Sequence, residues 1–429
     1  MALWLLIVFL FLMLIGTPIG FVLGLTALFG FYSLGNPAFF TIVSQNFFSA
    51  IDNFAILAMP FFLLAGDIMN KVGLTRRIVE FSDVFFGRLR GGLAQVNIVA
   101  SIIFGGISGA AVADTAALGK IFIPAMTKEG YDKDFSTAVT IASSIISPII
   151  PPSIIMVIYG ALMGVSIAGL FAAGIVPGLM IGIGLMILSW IISRKRNYPK
   201  HLEKITFRRV FLTTKKAIWA LIMLVIILGG ILGGFATPTE AAAVAVGYAL
   251  FLGLVIYRNL SLKDLFGLFL NNAIMMGVIG LVMCTASVLA WLLASEQLPE
   301  MVAEFLISVS TNKYVILFLM NFFLILVGMF MNIIASLLIL GPILAAVAID
   351  LGCHPLHVGI MICVNLNIAL MTPPVGGTLF VAMAITRLSL EQILKELWPF
   401  ILIELIVLFL IIYIPDLTMF VPNLLRFIE

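Results

Sequence analysis

Long apolar stretches separated by short polar breaks run through the whole chain: 2–33, 53–71, 92–127, 133–150, 153–193, 217–234, 238–257, 265–295, 313–350, 355–370, 375–387 and 397–414. A helix needs about 20 apolar residues to cross about 30 Å of hydrocarbon, so this pattern predicts a polytopic helical protein. The first stretch, from Leu3 to about Tyr32, reads as one long or tilted span. Four stretches do not fit a simple crossing. Residues 92–127 and 313–350 are too long for one span and too interrupted for one helix. Residues 133–150 and 355–370 are near the short limit, and each leads to a Pro-Pro pair. Polar backbone is tolerated at membrane depth only where protein buries it or a cavity hydrates it. The long stretches therefore predict two re-entrant helical hairpins, turning near 105–109 and 328–332. The Pro-Pro sites predict two helices broken in mid-membrane.

These irregular stretches are two copies of one pattern. Gly106 and Gly328 stand 222 residues apart, as do Gly119 and Gly341, Gly130 and Gly352, and Pro151-Pro152 and Pro373-Pro374. The matched residues are those that set backbone shape. Duplicated halves with breaks in corresponding places point to a transporter whose site lies between the halves. Thr17-Pro18 and Thr237-Pro238 extend the echo, and Thr237, Pro238 and Glu240 read as a helix start.

Composition agrees with the pattern. Hydrophobic residues make up 63% of the chain and charged residues 10%, which excludes a soluble domain. The first charged side chain is Asp52, so the start lacks the basic region of a secretory signal. Cys284, Cys353 and Cys363 form no CxxC pair and read as small buried thiols. Positive charge crowds into 194–216, where Arg194, Lys195, Arg196, Lys200, Lys204, Arg208, Arg209, Lys215 and Lys216 meet one acid, Glu203. The positive-inside rule places this loop in the cytoplasm, and no nucleic-acid partner is expected.

The breaks define the candidate chemistry. A broken helix frees carbonyl oxygens that can ligate Na⁺ and N–H groups that favour an anion. Oxygen side chains gather at the same places. Ser108 and Asp114 lie at the first hairpin turn, and Ser143, Ser144, Ser147 and Ser153 surround the first break. Asn332 and Ser336 lie at the second turn, and Asn365, Asn367, Thr372 and Gly376 flank the second break. A serine can instead bond back to its own helix. Asp114 can cap a helix, pair with Lys120 or bind an ion, and as a membrane acid it marks a functional site by default. His354 and His357 read as part of a short connection. No HExxH, GxGD or GxSxG motif with a partnered base is present, so an enzyme is not expected.

Five motifs in order carry a family resemblance: Ala58-Met59-Pro60-Phe61-Phe62-Leu63-Leu64-Ala65-Gly66, the 105–119 run, the 147–153 run, Thr237-Pro238-Thr239-Glu240-Ala241-Ala242-Ala243, and Thr372-Pro373-Pro374-Val375-Gly376. Together they resemble the large membrane subunit of tripartite ATP-independent periplasmic (TRAP) transporters, DctM type. The resemblance spans essentially the whole chain. It implies an inverted-repeat, elevator-type transporter in the bacterial inner membrane, coupled to Na⁺. It also implies a periplasmic substrate-binding protein and a small four-helix membrane subunit, expected here as a separate chain. The implied substrates are organic acids, sialic acid or a C4-dicarboxylate. The implied plan is scaffold helices in 1–90 and 217–312, transport repeats in 91–193 and 313–396, the basic loop 194–216, and a C-terminal helix in 397–429. Ser108, Asp114, Ser147 and Pro151 would hold one Na⁺; Asn332, Ser336, Thr372 and Pro374 would hold another. Ser108, Ser153, Asn332 and Gly376 would face the substrate. Phe330 stands where the first copy has Ser108, a departure that leaves the second ligand set less defined. A self-sufficient carboxylate carrier without a binding protein is the alternative.

Overall fold

The computed structural model describes residues 2–35, 39–199 and 206–427, and every regular element in them is helical. Lys200, Glu203 and Lys204 of the basic loop lie outside the described residues. Seven of the described helices are long and apolar enough to cross a membrane. Among the shorter ones, Gly92–Ser108, Lys313–Gly328, Ile154–Met163, Pro355–Ala369 and Gly377–Thr386 belong to the repeated stretches.

Each predicted hairpin is present. The first runs up Gly92–Ser108 and returns as Ala111–Lys128. It turns at Gly109 and Ala110, later than the predicted 105–109, because only Gly109 takes a left-handed φ of 60° while Gly105 and Gly106 stay helical. The second runs up Lys313–Gly328, turns through 329–332 and returns as Ile333–Asp350. Both breaks are present as well. Lys133–Ser144 ends before the proline region and Ile154–Met163 resumes after it; Pro355–Ala369 and Gly377–Thr386 repeat the arrangement. The peptide bonds Pro151-Pro152 and Pro373-Pro374 are both cis.

Three expectations need correction. The stretch 2–33 is two helices, Ala2–Leu14 and Ile19–Ser33, not one span. Gly16 sits at a φ of 80° and Pro18 lacks the N–H that would continue the ladder. The stretch 153–193 divides into Ile154–Met163 and Ile167–Lys195, because Gly164 terminates the first helix and Ser166 caps the second by accepting from the Gly169 N–H at 3.1 Å. The last long helix starts at Leu390 rather than 397, nucleated by a capping box between Ser389 and Gln392. The predicted start at Thr237 is present: Glu240 closes its capping box and Pro238 occupies the first turn.

The halves interlock reciprocally. The returning arm Ala111–Lys128 packs on Gly377–Thr386, and the returning arm Ile333–Asp350 packs on Ile154–Met163. Their insertion is inverted. Asp132, at the head of the first broken helix, is joined through Arg196 to Glu396 near the start of Leu390–Tyr413. His357, in the first turn of the second broken helix, contacts the Thr418 hydroxyl at 2.8 Å, beyond the other end of Leu390–Tyr413. That helix has 24 residues, about 36 Å of rise, so the broken helices enter from opposite sides.

Candidate functional site

The first half-site is built by close backbone approach. A Cβ added to Gly105 would lie 2.6 Å from Ser147 Cα, and one added to Gly109 would lie 2.5 Å from the Pro152 carbonyl oxygen. One on Gly66, in the helix Ala58–Lys71, would lie 3.3 Å from Ser108 Cα. Small residues thus let the hairpin tip sit between the broken backbone and a neighbouring helix.

The side chains converge there. Asp114, in the first turn of the returning arm, is 0% exposed. Its carboxyl oxygens accept hydrogen bonds from the Ser108 hydroxyl at the tip and the Ser147 hydroxyl at the break. It therefore joins hairpin and broken helix, rather than pairing with Lys120 as one sequence alternative had it. A carboxylate offers about four lone-pair sites, so two serine donors leave room for a cation. The Pro151 carbonyl oxygen would lie 3.5 Å from a Cβ at Gly106, on the tip side of the break. A layer below completes the frame: Ser101 donates to Ser143 at 2.9 Å, and the Asn97 amide donates to Thr140 Oγ1 at 2.8 Å. Ser153 is committed to the break itself. Its hydroxyl donates to the Pro148 carbonyl at 2.5 Å and accepts from the Met156 N–H.

The second half-site keeps the backbone device and changes the side chains. A Cβ at Gly328 would lie 2.7 Å from Ala369 Cβ, so this hairpin also presses on its broken helix. Asn365 donates its amide to the Asn321 carbonyl and side-chain oxygen at 2.8 and 3.0 Å. The Asn365 and Asn367 side-chain oxygens and the Ser336 hydroxyl are buried with no partner among the described residues. Unpartnered buried oxygens are the arrangement a bound cation would satisfy. Thr372 donates to the Ile368 carbonyl at 2.8 Å, and Gly376 is wedged against the Leu370 and Thr372 carbonyls. Asn332 is exposed and caps its helix by accepting from the Ile334 N–H, and Pro374 is exposed. Exposed Phe330 and Val375 stand at the positions of Ser108 and Ser153. The structure thus gathers Ser108, Asp114, Ser147 and Pro151 around one break. In the second half it leaves Ser336, Asn365 and Asn367 each with a buried oxygen unpartnered among the described residues, and the two asparagines were not in the predicted second set.

Sequence reasoning missed one neighbour. Asp67 and Asn70 on Ala58–Lys71 line a small cavity, about 20 Å³, together with Ser108 and Asp114. Asp67 is the only acid in the apolar run 53–71, the signal that would have found it.

An inverted pair of hairpins and broken helices, each with oxygen donors at its break, defines a helical membrane transporter. The crystal structure of the Alcanivorax borkumensis YdaH transporter shares the fold, with a TM-score of 0.65 over 87% of each chain at 14% identity. Residues 6–417 match the family described as tripartite ATP-independent periplasmic transporter, DctM component, and the chain belongs to that family. It is 40% identical over 409 residues to the sialic acid TRAP transporter large permease protein SiaM of Vibrio cholerae, covering 95% of each chain. It is 35% identical over 428 residues to the C4-dicarboxylate large permease DctM of Rhodobacter capsulatus, covering 96% of this chain and 97% of that one. The protein is a multi-pass component of the bacterial inner membrane.

Proposed function

We propose that this chain carries an organic acid inward across the inner membrane, driven by Na⁺ entry, by an elevator movement of the repeated core. The observation that supports the reading best is the duplicated hairpin and broken helix: the first copy gathers oxygens of tip and break, and the second holds buried oxygens unpartnered among the described residues. Oxygen donors of this kind suit a hard cation, and the freed N–H groups of the half-helices suit a carboxylate. In this reading Ser108, Asp114, Ser147 and the Pro151 carbonyl hold one Na⁺. Ser336, with Asn365 and Asn367, holds the other, and Asn332, Thr372 and Pro374 close its rim. The acid lies between the sites, near Gly376.

The two transport repeats, 91–193 and 313–396, would move as a unit against helices from 1–90 and 217–312. The glycine contact between Gly66 and Ser108 would then be one of the surfaces that part. The family description makes this chain one component of three, so a periplasmic binding protein and a small membrane subunit complete the system. Sialic acid and C4-dicarboxylates, named for the relatives, are the first acids to test.

The test is uptake into proteoliposomes containing this chain and its small partner, with binding protein and labelled acids outside. The expected result is uptake that requires both an inward Na⁺ gradient and the binding protein. Uptake without the binding protein would make the chain a self-sufficient carrier, and uptake indifferent to Na⁺ would remove the coupling.

A further inference from the structure

The helix Leu390–Tyr413 carries an acid that neither half-site uses. Glu404 is 0% exposed, and both of its carboxyl oxygens lack a hydrogen-bond partner among the described residues. It is the only acid in the apolar run 397–414. Its helix packs against Lys133–Ser144, Ile167–Lys195, Pro355–Ala369, Lys313–Gly328 and Gly377–Thr386. The charged groups of these helices sit at their ends: Lys133 and Asp134, Arg194 and Lys195, and Lys313 beside Tyr314. His357 contacts Thr418 instead. Cys363 is the one ionisable group in a helix interior, and Gly377–Thr386 has none. On its own helix, Glu391, Lys395 and Glu396 lie about two turns or more away.

The repeat shows that packing does not demand an acid here. An offset of 222 sets Glu404 against Gly182 (404 − 222 = 182). A Cβ at Gly182 would lie 2.6 Å from Ile102 and 3.7 Å from Ile146, so that layer of the first half is closed by apolar side chains. The same offset carries Ile102 to Leu324 and Ile146 to Ile368, both buried. An apolar side chain would fill the layer and leave no polar atom unpaired. An ionisable group kept inside a membrane against that cost marks an ion or proton path.

Asp114 and Glu404 then divide the work. Asp114 is surrounded by hydroxyl donors, which suit a charged carboxylate and a metal cation. Among the described residues, no donor lies within hydrogen-bond distance of Glu404. A lone charge in such surroundings is far costlier than a neutral acid.

We propose that Glu404, on the helix Leu390–Tyr413, is a proton-binding site, loaded while the core is packed as described and emptied to water when that packing opens. The acid O–H bond breaks, the proton passes to water and a carboxylate remains. The site stands on its own geometry; its timing in a transport cycle rests on the function proposed above.

The experiment compares wild type with Glu404→Gln and Glu404→Leu, purified in bilayers, by infrared spectroscopy across neutral to alkaline pH, and by Na⁺-driven uptake in the same vesicles. Glu404→Leu is apolar like its surroundings and is the second variant should Glu404→Gln fold poorly. The expected result is a protonated-carboxyl band at neutral pH that both variants lack. Wild-type uptake should fall as pH rises while the variants show a flat profile. Spectra identical to wild type, or variants that keep its pH profile, would overturn the proposal. If no protein takes up any acid, the transport reading fails separately, and the band still decides whether Glu404 holds a proton.

Discussion

Asp114 is the residue on which the first half-site turns, because its carboxyl accepts hydrogen bonds from both tip and break. Asp114→Asn keeps the shape and removes the charge. Losing a charge-assisted contact of about 1–3 kcal/mol should weaken the proposed Na⁺ binding roughly 5- to 150-fold, measured as the Na⁺ dependence of uptake. Ser336→Ala separates ligand from filler. The Ser336 hydroxyl is buried and unpartnered among the described residues, so its removal should leave thermal stability unchanged or higher while Na⁺ affinity falls. A stability loss with unchanged affinity would make Ser336 structural. Gly105→Ala drives a methyl into Ser147 Cα, an overpacking of about 1–3 kcal/mol that should lower the melting temperature and uptake together. At this scale Asp114, Ser108 and Ser147 were legible, since sparse oxygens beside a backbone break stand out in an apolar chain. Their mutual bonding was not legible, because it depends on the tip falling at Gly109 rather than at Gly105 and Gly106. Asp67 and Glu404 were overlooked because each is a single acid inside a run that reads as an ordinary span.

At the scale of elements, breaks set by proline and glycine were read well where a second copy confirmed them. Thr17-Pro18 was read only as an echo of Thr237-Pro238, without its consequence, that Ala2–Leu14 and Ile19–Ser33 are separate helices. Tertiary bonding between elements was invisible to the sequence. Arg196 holds Glu396 through two hydrogen bonds at 2.8 Å and Asp132 at 3.1 Å, while Tyr198 donates to Asp132 at 2.5 Å. This clamp ties the ends of Ile167–Lys195, Lys133–Ser144 and Leu390–Tyr413. Burial and the Asp132 hydrogen bond push the Tyr198 hydroxyl up to about 12. The folded chain therefore favours the neutral phenol more than the unfolded chain does. The stability this provides is complete below about 10 and is lost as pH rises towards about 12. Tyr198→Phe should be less stable than wild type at neutral pH and lose less over that alkaline window, measured by thermal unfolding.

At the scale of the molecule, two copies of one irregular device inserted from opposite sides create two related but unequal half-sites. The first is rich in hydroxyls around a carboxyl; the second holds amide oxygens without partners among the described residues. The 222-residue offset made the duplication legible, yet it could not show that the buried Asn365 and Asn367 oxygens are left unpartnered among the described residues in the half where Phe330 replaces Ser108. The most direct test of the account is equilibrium binding of radiolabelled Na⁺ to the purified protein, to Asp114→Asn and to Ser336→Ala. The account predicts at least two saturable ions in the wild type, with each variant losing a different one and keeping the other. Undiminished binding in both variants would contradict it.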